Sequence, residues 1–140
     1  MTKILLVEDS KFLRIAMERA LRRAGYEVTS AGDGVQAVEA AEHEKPDLIL
    51  LDMLLPKMGG QEVLAKLKKN PATARIAVAA CTGLSQKNEA RLKHEGVCAF
   101  LDKSELDLDK GSGHLLAAVA EILRTLDIGV PGEKALAHRV

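Results

Sequence analysis

The sequence predicts an α/β domain: a five-stranded parallel sheet with helices on both faces. Three observations carry this. Short apolar runs alternate with amphipathic stretches at about 20–25 residues per cycle, the repeat of strand–helix–strand units. The first and third runs are continuous and rich in branched residues, as in strands buried on both faces. Five such cycles fit within 140 residues, which is the size of one domain.

Each element has its own signal. The strand runs are Lys3-Ile4-Leu5-Leu6-Val7, Tyr26-Glu27-Val28-Thr29-Ser30, Leu48-Ile49-Leu50-Leu51, Ile76-Ala77-Val78-Ala79-Ala80 and Val97-Cys98-Ala99-Phe100-Leu101. The second is the most polar and is expected at an edge. Between runs one and two, a helix from Phe12 to Ala24 puts Leu13, Ala16, Met17, Ala20 and Leu21 on one face and stops at Gly25. Asp33 caps a second helix, with Val35, Ala37, Val38 and Ala41 inside, that ends before Pro46. A third runs from Gly60 to Lys69 around Val63, Leu64 and Leu67, before Pro71. Ser85 caps a fourth that reaches Glu95, with Gly96 after it, and the last spans about His114 to Leu126.

Composition removes several classes of function. Lys plus Arg is 20 and Asp plus Glu is 20, so the formal net charge is zero, a poor match to a protein that coats DNA or anionic lipid. Phe12, Tyr26 and Phe100 are the whole aromatic complement, too few to stack single-stranded nucleic acid. Cys81 and Cys98 are too few for a disulfide scaffold and are expected to be buried thiols. No apolar run approaches the roughly 18 residues of a membrane span, and no signal pattern opens the chain, so a cytoplasmic location is expected. The spacing of His43, His94, His114 and His138 matches no metal site.

In a parallel sheet, ligand chemistry collects at the carboxyl ends of the strands. Glu8 and Asp9 follow strand one, Asp52 ends strand three, Cys81-Thr82-Gly83 ends strand four, and Asp102 and Lys103 follow strand five. The carboxylates of Glu8, Asp9 and Asp52, a hydroxyl and an ammonium therefore converge on one edge. Two like unit charges 4 Å apart repel by about 4 kcal/mol at an effective dielectric of 20, so Glu8, Asp9 and Asp52 need an offset. Lys103 supplies one positive charge. A Mg²⁺ ion, which favours carboxylates and phosphate oxygens, would supply two more.

With these motifs the sequence resembles the receiver domains of bacterial two-component response regulators. The match spans roughly residues 2–126 and rests on Leu6-Val7-Glu8-Asp9, Leu50-Leu51-Asp52-Met53 with Pro56 and Gly60, Thr82-Gly83, and Phe100-Leu101-Asp102-Lys103. The resemblance implies the flavodoxin-like doubly wound fold with strand order 2-1-3-4-5. It makes Asp52 the phosphoacceptor, taking a phosphoryl group from a histidine kinase, a histidine phosphotransfer protein or a small donor such as acetyl phosphate. Asp9, Asp52 and the backbone carbonyl of Leu54 would bind Mg²⁺, with Glu8 acting mainly through a metal-bound water. Lys103, Thr82 and the backbone N–H groups of Leu54 and Gly83 would hold the phosphoryl oxygens. Thr82 and Phe100 would form the switch that alters binding of a downstream protein at the face made by helix 85–95, strand five and the last helix. The surface around the first helix, which carries Lys11, Arg14, Arg19, Arg22 and Arg23, would dock the phosphohistidine partner. Residues 1–126 would be the receiver and 127–140 a short tail without an output domain. The protein would then be a self-phosphorylating binding module, not an enzyme, with neither nucleic acid nor membrane as a direct partner.

The sequence also departs from the family pattern. Ser104 follows Lys103 where many members have proline, and a cis bond before a non-proline costs about 2.5–4 kcal/mol, so a trans bond is expected. Gly59 stands where many have Asp, and the stretch from Glu105 to Gly113 is longer than usual. Leu54 and Leu84, two residues after Asp52 and Thr82, cannot orient a water, which implies slow loss of the phosphoryl group. Leu54 also argues against a phosphatase of the haloacid dehalogenase type, which places an acid two residues after its nucleophile. Glu8-Asp9-Ser10-Lys11 argues against a flavin or dinucleotide carrier, because its carboxylates repel phosphate. A degenerate receiver that binds partners without phosphorylation is the remaining alternative.

Overall fold

The computed structural model describes residues 1–55, 58–82, 93–103 and 111–131, and of Thr82 only the backbone. Its elements in chain order are β1 (Lys3–Val7), α1 (Lys11–Arg23), β2 (Glu27–Ala31), α2 (Gly34–Glu44), β3 (Leu48–Asp52), α3 (Gly60–Lys69), β4 (Ala77–Thr82), β5 (Ala99–Asp102) and α4 (Gly113–Thr125). The helix expected from Ser85 to Glu95 lies mostly outside the described residues; within them, Lys93 and His94 are helical. Pro56, Gly83, Leu84, Ser104 and the Thr82 side chain also lie outside them.

All five strands are parallel, in the order β2-β1-β3-β4-β5. The polar second strand is at an edge, as expected. Strand β3 is central and completely buried from Leu48 through Leu51. Burying each such side chain contributes about 1.5–3 kcal/mol relative to exposure. Strand alternation divides the core into two layers. Ile4, Leu6, Leu48 and Leu50 face α1 and α4, meeting Met17, Leu21, Leu115, Val119 and Leu123. Leu5, Val7, Ile49 and Leu51 face α2 and α3, meeting Ala37, Ala41, Val63, Leu64 and Leu67.

Helix ends follow their sequence signals. Ser10 and Asp33 are N-caps, accepting from the Leu13 and Gln36 N–H groups. Gly25 takes a φ of +100°, which closes α1 into β2 at little steric cost. Beyond α4 the chain folds back on the domain: the Thr2 hydroxyl donates to the Gly129 carbonyl, and Ile128 and Val130 pack on the α1/α4 layer. The expectation for the cysteines needs one correction. Cys81 is buried in β4, but Cys98 is exposed. β5 begins one residue later, at Ala99; the Cys98 N–H bonds to the Val78 carbonyl while its side chain points outward.

Candidate functional site

Strand register places the central carboxylate. Val7, the last residue of β1, pairs with Leu51, so Asp52 extends one residue past the end of β1. The turn Glu8-Asp9-Ser10 occupies the space beside it. Asp52 also pairs with Cys81 of β4, and Thr82 of β4 pairs with Asp102 of β5, which brings Lys103 to the same edge. Glu8, Asp9 and Asp52 each offer a carboxylate oxygen, and these oxygens lie within 4.8 Å of one another. Glu8 and Asp52 are buried at 2% exposure, whereas Asp9 is exposed and opens the group to solvent.

Each buried carboxylate is held by specific donors. Asp52 Oδ1 accepts from the Leu54 N–H at 3.0 Å, and Oδ2 accepts from Lys103 Nζ at 3.3 Å. Glu8 Oε1 pairs with Lys103 Nζ at 2.8 Å, and Oε2 accepts from the Ser10 N–H at 3.0 Å. One ammonium therefore bridges two buried carboxylates. Burial pushes the Asp52 carboxyl up to about 6; the Leu54 N–H and Lys103 oppose that rise and the Glu8 charge reinforces it. Burial disfavours the Lys103 ammonium, but its bond to Glu8 and the charges of Asp52 and Glu8 outweigh this, so its pKa is raised. The neighbouring Cys81 thiol is pushed up to about 12 by burial and by the Asp52 and Glu8 charges, so it stays protonated.

Gly60 lets α3 close on this strand end. A Cβ built there would lie 2.6 Å from Met53 Cα and 2.9 Å from the Asp52 carbonyl oxygen, distances no side chain tolerates. This close approach sets the start of α3 against the backbone that carries Asp52. Leu54 projects outward at 64% exposure while its N–H turns inward to Asp52. Phe100 is half-buried against the α2/α3 layer, with the Lys93 ammonium 6.0 Å from its ring centroid. His43, His94 and His114 are exposed surface residues.

The structure thus gathers Glu8, Asp9, Asp52, the Leu54 N–H and Lys103 as the strand-end motifs imply. Three further contacts have no motif of their own. The Lys103 bond to Glu8 is shorter than its bond to Asp52, Ser10 donates to the Glu8 carboxylate through its backbone, and Arg14 Nη1 donates to the Glu8 carbonyl at 2.9 Å. The donor set consists of hard carboxylate oxygens with one face open, which suits Mg²⁺ and is a poor match to the nitrogen and sulfur ligands usual for Zn²⁺.

Comparison with known proteins agrees with this geometry. The family model of the response regulator receiver domain matches residues 4–110. Sporulation initiation phosphotransferase F of Bacillus subtilis is 36% identical over 81 residues, 58% of this chain and 65% of that protein. Among solved structures, the Vibrio cholerae chemotaxis protein CheY4 superposes with a TM-score of 0.78 at 27% identity, covering 88% of this chain and 99% of that one. The receiver domain of sensor histidine kinase PA1611 from Pseudomonas aeruginosa, solved with magnesium coordinated in its active-site cleft, has a TM-score of 0.70 at 29% identity. It covers 88% of this chain and 95% of that one. The matched part of the chain spans 28% to 65% of the length of three curated relatives it matches.

Proposed function

The chain belongs to the response regulator receiver family, and from that premise we propose that it accepts a phosphoryl group on Asp52 and passes the signal on through altered protein binding. One observation carries the reading. A buried carboxylate at the end of the central strand lies within reach of a lysine ammonium and two further carboxylates, one of them open to solvent. Asp9, Asp52 and the Leu54 carbonyl, assisted by Glu8, would hold Mg²⁺. When bound, Mg²⁺ offsets the negative charge that an incoming phosphoryl group adds to this site.

In the transfer, an Asp52 carboxylate oxygen forms a bond to phosphorus as the phosphorus–nitrogen bond to the donor imidazole breaks. The imidazole leaves and an acyl phosphate remains. Lys103 is placed to follow the charge from the Asp52 carboxylate to a phosphoryl oxygen. The Leu54 N–H, now bound to Asp52, would hold another, and the family resemblance gives the Gly83 N–H the same role. Catalysis in this scheme is positioning and charge neutralisation, with no released product beyond the dephosphorylated donor. The protein therefore acts as a phosphorylation-controlled binding module, not as an enzyme turning over a separate substrate.

For the switch, the Thr82 hydroxyl moves to the phosphoryl group and Phe100 turns into the space it leaves. The half-buried state of Phe100 supports this role, because turning inward would remove more of the ring from water. The donor is a histidine kinase or histidine phosphotransfer protein, and the target is a protein bound by contact. Residues 1–126 form the receiver, and Ile128 and Val130, beyond α4, pack onto it. No helix among the described residues is long and apolar enough to cross a membrane, which is consistent with a cytoplasmic location. Incubation with acetyl phosphate and Mg²⁺ tests the reading: the protein should gain the mass of one phosphoryl group and Asp52→Ala should gain none. No gain in the parent would favour a receiver that works without phosphorylation.

A further inference from the structure

The three carboxylates are not supported equally. Asp52 is pinned by the Leu54 N–H and Lys103, and Glu8 by Lys103 and the Ser10 N–H. The Asp9 side chain has no hydrogen-bond or ion-pair partner among the described residues. It is exposed, so packing does not hold it either. Its direction is set by the backbone that carries it, the Glu8–Asp9 peptide. Arg14, one turn into α1, donates from Nη1 to the carbonyl of that peptide at 2.9 Å. The same guanidinium reaches the loop after β2, where a Cβ on Gly32 would lie 3.1 Å from Nη1. Gly32 is itself tied down, its N–H donating to Gln36 Oε1 at 3.0 Å. Arg14 therefore braces the acidic turn after β1 against the loop after β2, and the absence of a side chain at Gly32 leaves it room.

We propose that Arg14 is a positioning residue for the divalent-cation site: it holds the Glu8–Asp9 peptide so that the Asp9 carboxylate, which no other described residue supports, faces Asp52. This rests on the reading above that the carboxylates bind Mg²⁺. Ligands fixed by an outer layer of hydrogen bonds lose about 10–100-fold in metal affinity when that layer is removed. Arg14 acts through one peptide, so the lower end of that range applies.

The test is direct Mg²⁺ binding by titration calorimetry on the full chain, with the metal-free thermal midpoint measured in parallel. Arg14→Met keeps the aliphatic stem and should bind Mg²⁺ about tenfold more weakly. Arg14→Lys, which keeps the charge without the fork, should lose at least threefold. Lys68→Met is the control: Lys68 lies on α3 and donates to two backbone carbonyls, those of Ala74 and Ile76, away from the site. Its affinity should match the parent. In phosphorylation by acetyl phosphate, the half-saturating Mg²⁺ concentration of the Arg14 variants should rise by the same factor, with the rate recovering at saturating Mg²⁺. A merely structural role would lower the metal-free midpoint and leave Mg²⁺ affinity alone. If Arg14→Met does not fold, Arg14→Lys decides: a loss of threefold or more supports the proposal and a smaller one overturns it. If the parent binds Mg²⁺ and both variants stay within threefold of it, the proposal fails alone. If the parent binds no Mg²⁺, the reading of the site fails and the role of Arg14 fails with it.

Discussion

Asp52→Asn should make the metal-free protein more stable at neutral pH. The Asp52 carboxyl is raised from an ordinary 3.8 to about 6, so the native state binds this proton more tightly than the unfolded chain does. The associated stability is complete below pH 3.8 and is lost as pH rises through 6. At about 1.36 kcal/mol per pH unit, the ionised carboxylate destabilises the native state by up to roughly 3 kcal/mol at pH 7.5. Asparagine removes the charge and keeps an oxygen for the Leu54 N–H, but forfeits the Lys103 contact, worth about 1 kcal/mol. The net gain is about 2 kcal/mol, or a midpoint rise of roughly 4–8 °C for a domain of this size. At pH 4.5 the same linkage leaves only about 1 kcal/mol of the penalty, and the two proteins should unfold almost together. Thermal and urea unfolding in chelator at the two pH values measures this. Saturating Mg²⁺ at pH 7.5 should then narrow the gap, since it stabilises the parent in proportion to its binding. The reasoning is refuted if the variant is no more stable at pH 7.5, or if its advantage is the same at both pH values.

The other expectations concern the groups around Asp52. Lys103→Met leaves Glu8, only 2% exposed, without its cation, and should cost about 3–5 kcal/mol in urea unfolding at pH 7.5. Gly60→Ala forces a Cβ against the Met53 and Asp52 backbone and should cost about 1–3 kcal/mol while slowing phosphorylation; an unchanged rate would show that α3 does not fix Asp52. Leu54 is exposed beside Asp52 and cannot orient water, so Leu54→Asn should shorten the phosphoryl lifetime in Mg²⁺, and a marked lengthening would contradict that role.

The fold was largely legible because its signals are local. The continuous runs at β1 and β3 read directly as strands buried on both faces, and Ser10, Asp33 and Gly25 mark helix ends through their own backbone chemistry. Strand order is different: alternation implies a parallel sheet and a polar edge at β2, but the order came from the family resemblance, since pairing is a long-range choice. At the site, Glu8, Asp9, Asp52 and Lys103 were legible as a set because each ends or follows a strand. How they share contacts was not. That Lys103 sits closer to Glu8 than to Asp52, and that Arg14 reaches the Glu8 carbonyl, depends on side-chain reach across elements. Cys98 shows the same limit at smaller scale: the apolar run from Val97 suggests burial, yet β5 starts at Ala99, just after Cys98, and leaves the thiol outside.

The most direct measurement is transfer from a phosphohistidine donor to the intact protein in Mg²⁺, with peptide mass mapping of the modified residue. The structure predicts one phosphoryl group, located on Asp52, absent when Mg²⁺ is chelated and absent in Asp52→Ala. A parent that gains no phosphoryl group, or an Asp52→Ala variant that still does, would contradict it.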